Sequence, residues 1–532
     1  MPSPIDKTLQ LLGKSKNKAA ARLLESALSS SNELVRQAAS HELVFNRGIR
    51  GLAELIERTD RPDEVVLALF DQHRGKMIAA LRSAVVSTNE RHNLNAFRII
   101  LHQRYYEILP TLLTIFIERG DDWDTDSPLA EVIDSLSIQY VQALDHGRQR
   151  RFLRDGVLGD IMRVLTPALL GFHRNDPLLI PTLFLRLYPF FSEKQRDVTK
   201  ILRNPALPVY MAIHKLLQSE DIQTVYRFVF HCLGNPDPPP LAQTTFSKRI
   251  DVPFLEKMFE AVGETMPRDF ADNLKRSQYF EWFDKLRVIL DQLENASQKG
   301  LVDVIKHVNM PLEGKLSQLI DILQYGKPAG RLASLNLLAT FSGERIDQQI
   351  WQSCDDVDPN VQSAALVHLR RRELPKAALR IIQCADSPHA IVRETVQSLL
   401  PEFRFDRFLA TFDQMSVEQR SMTFNLIKKI DQNLIEAIRH ELQFGEPVQQ
   451  AKSLLCIEYG DMVVTLEEEL CTLLMRSETP ALRVKASQLL AAGRRELSRG
   501  TLVQAFHRDI SPDVRAAAKE SLENRPTPWE IK

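Results

Sequence analysis

Histidines beside carboxylates, spaced aspartates, cysteines and clustered arginines are the residues of this chain whose types could do chemistry. His41–Glu42 and His440–Glu441 begin like a zinc-hydrolase pair, but neither is followed by a second histidine four residues on, so the helical ligand pair is missing. Asp122, Asp124 and Asp126 in DDWDTDSPLAE match the first ligands of a calcium loop. Ser127 then stands where the sharp turn needs glycine, and Ile133 where the bidentate glutamate belongs, so an acidic inter-helix loop is the expectation. The sequence has no glycine-rich phosphate loop and no GxSxG elbow, and its 13 histidines sit singly. Cys232, Cys354, Cys384, Cys456 and Cys471 form no CxxC pair. They are expected to be small core residues in a reducing compartment, with no disulfide framework and no zinc site. No catalytic residue, metal site or cofactor is expected. The remaining chemistry is cationic. Arg148, Arg150, Arg151 and Arg154 in HGRQRRFLRDG make a basic cluster flanked by Asp145 and Asp155, expected to be an exposed turn that could meet a partner or nucleic acid.

The elements that would hold such residues are set by one recurring pattern. In DISPDVRAAAKESL, which ends at Leu522, Asp509 and Ser511 are suited to accept from the first amides of a helix. Pro512 suits the first helical position, and Val514, Ala517, Ala518 and Leu522 fall on one narrow apolar face. DVDPNVQSAALVHL ends at Leu369, DSPHAIVRETVQSLL at Leu400, SETPALRVKASQLL at Leu490 and SSNELVRQAASHEL at Leu43 in the same form. Each is a turn followed at once by a helix that another helix must approach closely.

These segments resemble the HEAT family, whose second helix opens with an Asp/Pro turn and a Val-Arg pair followed by Ala and Leu. Anchored on the arginine, the series runs Arg331, Gln362, Arg393, Arg420, Gln449, Arg483 and Arg515, in steps of 31, 31, 27, 29, 34 and 32 residues. That is shorter than the ~40–47 residues of ordinary HEAT and armadillo units, so the likeness is to short, bacterial HEAT-like repeats. The Arg331, Arg420 and Gln449 units match loosely. The resemblance implies an all-α fold, a right-handed α-α superhelix of antiparallel helix pairs. It also implies an inter-repeat ladder in which Arg393, Arg483 and Arg515 meet residues such as Asp355, Asp386 and Asp509.

The expected organisation is a HEAT-like cap over 1–61, with a helix break near Ile49, and an irregular helical-repeat region over 62–233. A Pro-rich linker over 234–250 around GNPDPPP would follow, since each proline restricts the residue before it and removes a donor. A helical connecting region over 251–309, regular repeats over 310–524 and a loose tail over 525–532 complete the chain. Between 62 and 309 the periodicity predicts helices at 63–70, 74–86, 92–101, 105–118, 128–145, 157–171, 177–190, 208–217, 221–233, 252–262, 270–294 and 298–308, and no strand. Aromatics from Phe184 to Phe230 are expected in the core, with prolines that could open a groove for a partner segment.

The repeats carry a charge polarity. Acids precede each second helix, and bases follow it at Arg371, Arg372, Arg404, Arg407, Lys428, Lys429, Arg494 and Arg495; Arg-Arg-Glu-Leu occurs at both 371 and 494. The helix macrodipole favours this arrangement by itself. Stacked, the repeats would give one acidic and one basic edge, the latter able to dock an acidic partner. Lys+Arg 68 against Asp+Glu 69 leaves a net charge of −1, without the basic excess of a dedicated nucleic-acid binder. No run is long and apolar enough for the ~20 residues of a membrane span. The expected function is a non-enzymatic, cytoplasmic protein–protein interaction scaffold, with a protein partner and no membrane. Nucleic-acid (DNA backbone) binding is the alternative, and a lyase-type HEAT-like subunit the second.

Overall fold

The computed structural model describes residues 4–58, 64–119, 127–145, 151–191 and 200–525, and among these every regular element is a helix. The fold is all-α, an α-α superhelical arrangement of antiparallel helix pairs. The chain divides into two compact units, Met1–Lys315 and Leu316–Lys532.

The second unit holds the regular repeats as seven helix pairs. They are Leu312–Tyr325 with Pro328–Leu338, Glu344–Ser353 with Pro359–Arg371, Ala377–Gln383 with Ala390–Leu399, Phe405–Thr411 with Val417–Ile430, Leu434–Phe444 with Pro447–Tyr459, Glu467–Arg476 with Pro480–Leu490, and Glu496–Arg508 with Pro512–Glu523. Pro328, Pro359, Pro447, Pro480 and Pro512 each open a second helix, where a missing N–H costs no intrahelical bond. First helices pack on first helices of neighbouring pairs and second on second, as with Leu434–Phe444 on Glu467–Arg476 and Pro447–Tyr459 on Pro480–Leu490. The core is therefore a continuous stripe. Leu454, Ile457, Leu470, Leu474, Leu490 and Val514 are buried within it, each contributing about 1.5–3 kcal/mol. Ser334, Ser453 and Ser487 are buried on the second helices, where a larger side chain would hold neighbours apart.

The first unit corrects several expectations. The cap has no break near Ile49: Glu33–Arg58 is one helix of 26 residues, carried through by Leu43, Val44, Leu52, Leu55 and Ile56 on its buried face. The segment 234–250 is not a linker. Residues after Pro239 form the helix Pro240–Lys248, which buries Leu241, Ala242, Thr245 and Phe246. Its prolines sit in the turn and at the first helical position, so they direct the chain into a packed helix instead of releasing it. The chain divides instead at Lys315, close to the start of the regular repeats. The candidate over 270–294 is Arg268–Leu274, a 3₁₀ turn over Glu281–Lys285 and the helix Leu286–Gln292. The interruption brings Phe280, Trp282 and Phe283 into one aromatic cluster with Phe246 and Phe259. Trp282 donates its indole N–H to the Phe246 carbonyl at 3.2 Å. Helices Val252–Glu264 and Asn295–His307 cross closely through Gly263 and Gly300, where a methyl on Gly300 would lie 1.8 Å from the Phe259 carbonyl oxygen. Phe184, Tyr188 and Phe191 join Phe228 in the core, as expected. All five cysteines are free and buried; burial pushes the thiols of Cys354 and Cys456 up to about 12.

Candidate interaction surface

The repeat arginine has a local task first. Arg36, Arg331, Gln362, Arg393, Arg420, Gln450, Arg483 and Arg515 each occupy the fourth position of a second-type helix and donate to a carbonyl at the end of the preceding helix or in the turn after it. Apart from the Phe412 carbonyl, which also accepts the Met415 N–H at 3.3 Å, those carbonyls have no intrahelical donor, so a long side chain reaching back closes the turn. Either a guanidinium or an amide can do this, which is why Arg and Gln alternate. The register at 449 is off by one: Gln450 donates to the Leu442 carbonyl at 2.9 Å, while the Gln449 Oε1 is buried without a partner. The same device extends into the first unit, where Asn93 donates to Ser87 and Gln298 to Leu290, both at 2.9 Å from the fourth helical position. The shorter Asn93, and the lack of an Asp/Pro turn before Gln298, hid those two repeats from the sequence pattern.

The inter-repeat ladder forms at two of its steps. Arg331 makes a two-pronged pair with Asp356 at 2.8 and 2.9 Å, and Arg483 does the same with Asp509 at 2.9 Å for both bonds. Asp356 and Asp509 also accept the backbone N–H two residues on, at 2.8 Å each. The Arg483 hydrogen bonds hold the Asp509 carboxyl below its ordinary range despite burial. Asp355 and Asp386 are not ladder acids: Asp355 pairs with Arg380, and Asp386 with Lys429 at 2.9 Å. Arg393 serves its own turn, through Ser387.

The structure splits the basic edge. Arg372 pairs with Asp347 on the first helix of its own repeat and reaches back one repeat to the Ala339 carbonyl, Lys428 donates to the Gly460 carbonyl at 2.5 Å, and Arg404 pairs with Asp406 at 3.1 Å. Arg495 pairs with Glu468 at 2.5 Å. Beneath it, the buried Glu467 accepts the Arg495 N–H at 3.0 Å and the Ser498 hydroxyl at 2.9 Å, fixing the loop. In both copies of Arg-Arg-Glu-Leu, then, the second arginine is spent between repeats. The first, Arg371 or Arg494, is exposed with no ion pair among the described residues, and so is Arg407. The two edges are not wholly separate, because Lys429 and Asp386 come from opposite ends of the polarity and yet meet. Their repeats are joined by the shortest step in the series, 27 residues, between steps of 31 and 29. Arg148 and Arg150, and the side chains of Arg151 and Arg154, lie outside the described residues, as do Asp122, Asp124, Asp126 and the tail beyond Arg525.

Two concave places stand out among the described residues. In the first unit, Asp134, Ile138, Gln142, Arg186, Asp221 and Arg227 line a cleft of about 630 Å³. Arg186 is buried there and donates to the Asp134 carboxylate at 2.8 Å and the Ser137 hydroxyl at 2.5 Å. An arginine inside the apolar run LLIPTLFLRLYPFF was the available signal. In the second unit, a groove of about 800 Å³ runs between the turns of the last two repeats, past Met475, Arg476, Arg508 and Ile510. Among the described residues no group of three or more His, Cys, Asp or Glu is placed to hold a metal ion, and no helix is long and apolar enough to cross a membrane.

The geometry defines the class: a helical-repeat protein of stacked helix pairs, closed by fourth-position side chains. No family model and no curated protein matches the chain. Among solved structures, the karyopherin Kap121p aligns with 92% of this chain and 57% of its own at 15% identity and a TM-score of 0.31. The same karyopherin bound to the extreme C-terminus of the phosphatase Cdc14p aligns over 98% and 54% at 14% identity, TM-score 0.31. A chain of a homology model of the full-length AP-3 complex in an intermediate open conformation aligns over 98% of both chains at 12% identity and a TM-score of 0.35. The chain spans a little over half the length of the karyopherin, 57%. At these scores the likeness adds nothing to what the helices themselves show.

Proposed function

We propose that this chain is a non-enzymatic scaffold that binds protein partners along the edges of its helix-pair stack. The observation that carries the reading is the division of labour within Arg-Arg-Glu-Leu. Inter-repeat contacts consume Arg372 and Arg495, whereas Arg371, Arg494 and the nearby Arg407 stay exposed and without an ion pair among the described residues. Structure alone has no use for the first arginine of each copy. Exposed guanidinium groups recurring at the connections between repeats suit carboxylates spread along an acidic partner surface. The test is capture from native lysate, with and without nuclease, by the wild-type chain and by the charge-reversed Arg371→Glu/Arg494→Glu variant. The reading expects a protein that survives nuclease and is lost with the variant. Material that disappears with nuclease would move nucleic-acid binding to first place, and its salt dependence would count the phosphate contacts. Substrate turnover, or a chromophore carried through purification, would instead favour the lyase-type reading.

A further inference from the structure

The opposite ends of the helix pairs, where each first helix turns into its second, present a different surface. Every repeat of the second unit exposes at least one large apolar residue there. In the second to fifth repeats these are Val357 at 86% exposure, Ile391 at 42%, Val417 at 63%, and Phe444 and Val448 at 68% and 63%. Single exposed apolar residues are ordinary on any protein, but one at the same turn of successive stacked repeats forms a row. Arg380–Asp355 ties the second turn to the third repeat and Lys452–Asp413 the fourth turn to the fifth, whereas Lys429–Asp386 sets the third turn against the other end of Val417–Ile430, so the row runs as two segments, the second of them over residues 413–450.

The charges beside the row have one sign. Along these four turns, Asp355, Asp386 and Asp413 are neutralised by Arg380, Lys429 and Lys452. The two arginines of the turns face inward: Arg393 donates to the Ser387 carbonyl, and Arg420 donates to the Phe412 carbonyl while lying over the Phe412 ring at 4.3 Å. Glu394, Glu418 and Glu446 are exposed without an ion pair among the described residues. Each lies within three residues of Ile391, Val417 or Phe444. In the last two repeats Arg476 and Arg508 break this pattern, so the surface ends near Gln450.

We infer that the turn edge over residues 413–450 docks an extended partner segment carrying apolar and basic side chains in regular succession. Stacked helices repeat at about 8–10 Å, and a segment in the polyproline II form rises about 3.1 Å per residue with three residues per turn, so side chains on one face recur every third residue at the matching distance. Apolar side chains would settle against Val417, Phe444 and Val448, and Lys or Arg would meet Glu418 and Glu446. Rigid turns, each closed by its fourth-position side chain, present the row without an ordering cost on this side. The inference rests on the scaffold reading and gives it a second surface with a partner of opposite charge.

The test uses the full chain against an array of 15-residue peptides built from Lys-Leu-Ser, Glu-Leu-Ser and Lys-Ser-Ser repeats, with Kd values taken by fluorescence anisotropy. The expected result is binding of the Lys-Leu-Ser peptide at least tenfold tighter than either of the others. That preference should be lost in Val417→Ser/Phe444→Ser and in Glu418→Lys/Glu446→Lys, and kept in Arg371→Glu/Arg494→Glu. All the substituted turn residues are exposed, so unchanged thermal melts verify the fold. Equal binding of the three peptides, no binding of any, or binding indifferent to the turn variants overturns the inference. Protein capture sensitive to Arg371→Glu/Arg494→Glu would still stand in that case, which separates failure of this edge from failure of the scaffold reading.

Discussion

The Arg483–Asp509 pair joins the last two repeats, and removing it should loosen them measurably. Its two side chains are 12% and 10% exposed, and the guanidinium and carboxylate share two hydrogen bonds of 2.9 Å. Loss of the arginine leaves a largely buried carboxylate holding only the Ser511 N–H, with the Arg515 charge nearby. Breaking a fully buried pair costs ~3–5 kcal/mol, and water from the adjoining groove reduces this, so Arg483→Met should cost ~2–3 kcal/mol. Hydrogen exchange of the amides in 467–523 reads that as a ~30–150-fold acceleration, provided these repeats open as a local unit. A double-mutant cycle with Asp509→Asn should return ~1–3 kcal/mol of coupling. The pH dependence has a defined sign. The folded carboxyl is held below its unfolded value, so its stabilisation is present above the unfolded pKa of ~4 and is lost as pH falls through the folded pKa. Wild type and Asp509→Asn should therefore converge under acid. Coupling below ~0.5 kcal/mol, or a gap that widens under acid, would refute the reasoning.

Two further outcomes test the packing and the register. Gly300→Ala should destabilise the first unit by ~3 kcal/mol or more, because the new methyl meets the Phe259 backbone. Gly500→Ala, inside Glu496–Arg508 with open space around it, should stabilise by ~0.5–1 kcal/mol; thermal melts of both variants check the contrast. Gln450→Ala should cost ~1 kcal/mol in local exchange around Leu442, and Gln449→Ala should cost nothing there, since only Gln450 closes the turn.

Helix type, the repeat and its approximate step were legible because a two-helix unit must place proline, apolar stripe and a long polar side chain at fixed spacing. Five of the seven pairs between Leu312 and Glu523 open the second helix with that proline, and Arg331, a loose match by pattern, makes the same bonds as Arg483. The spacing tolerates an error of one residue, as at Gln449, because adjacent glutamines are equivalent until one of them finds its carbonyl. In the first unit Asn93 does the same work with a shorter amide, and Gln298 does it without the Asp/Pro turn before it, so no single-residue signature marks them.

The sequence by itself determined an all-helical chain of stacked pairs, with charges sorted toward the helix ends that their sign favours. Those are consequences of local chemistry: capping, proline's fixed φ, the macrodipole and a 3.6-residue period. Tertiary structure decided which charges were consumed and which were left. Arg371 and Arg372 are neighbours of one residue type, yet only Arg372 reaches Asp347 and the Ala339 carbonyl. Pro240 reads as a breaker until Phe246 has an aromatic cluster to enter. Lys429 reaches Asp386 across 43 residues through a shortened repeat. Each depends on what the folded chain brings within about 4 Å, a distance that local spacing does not encode.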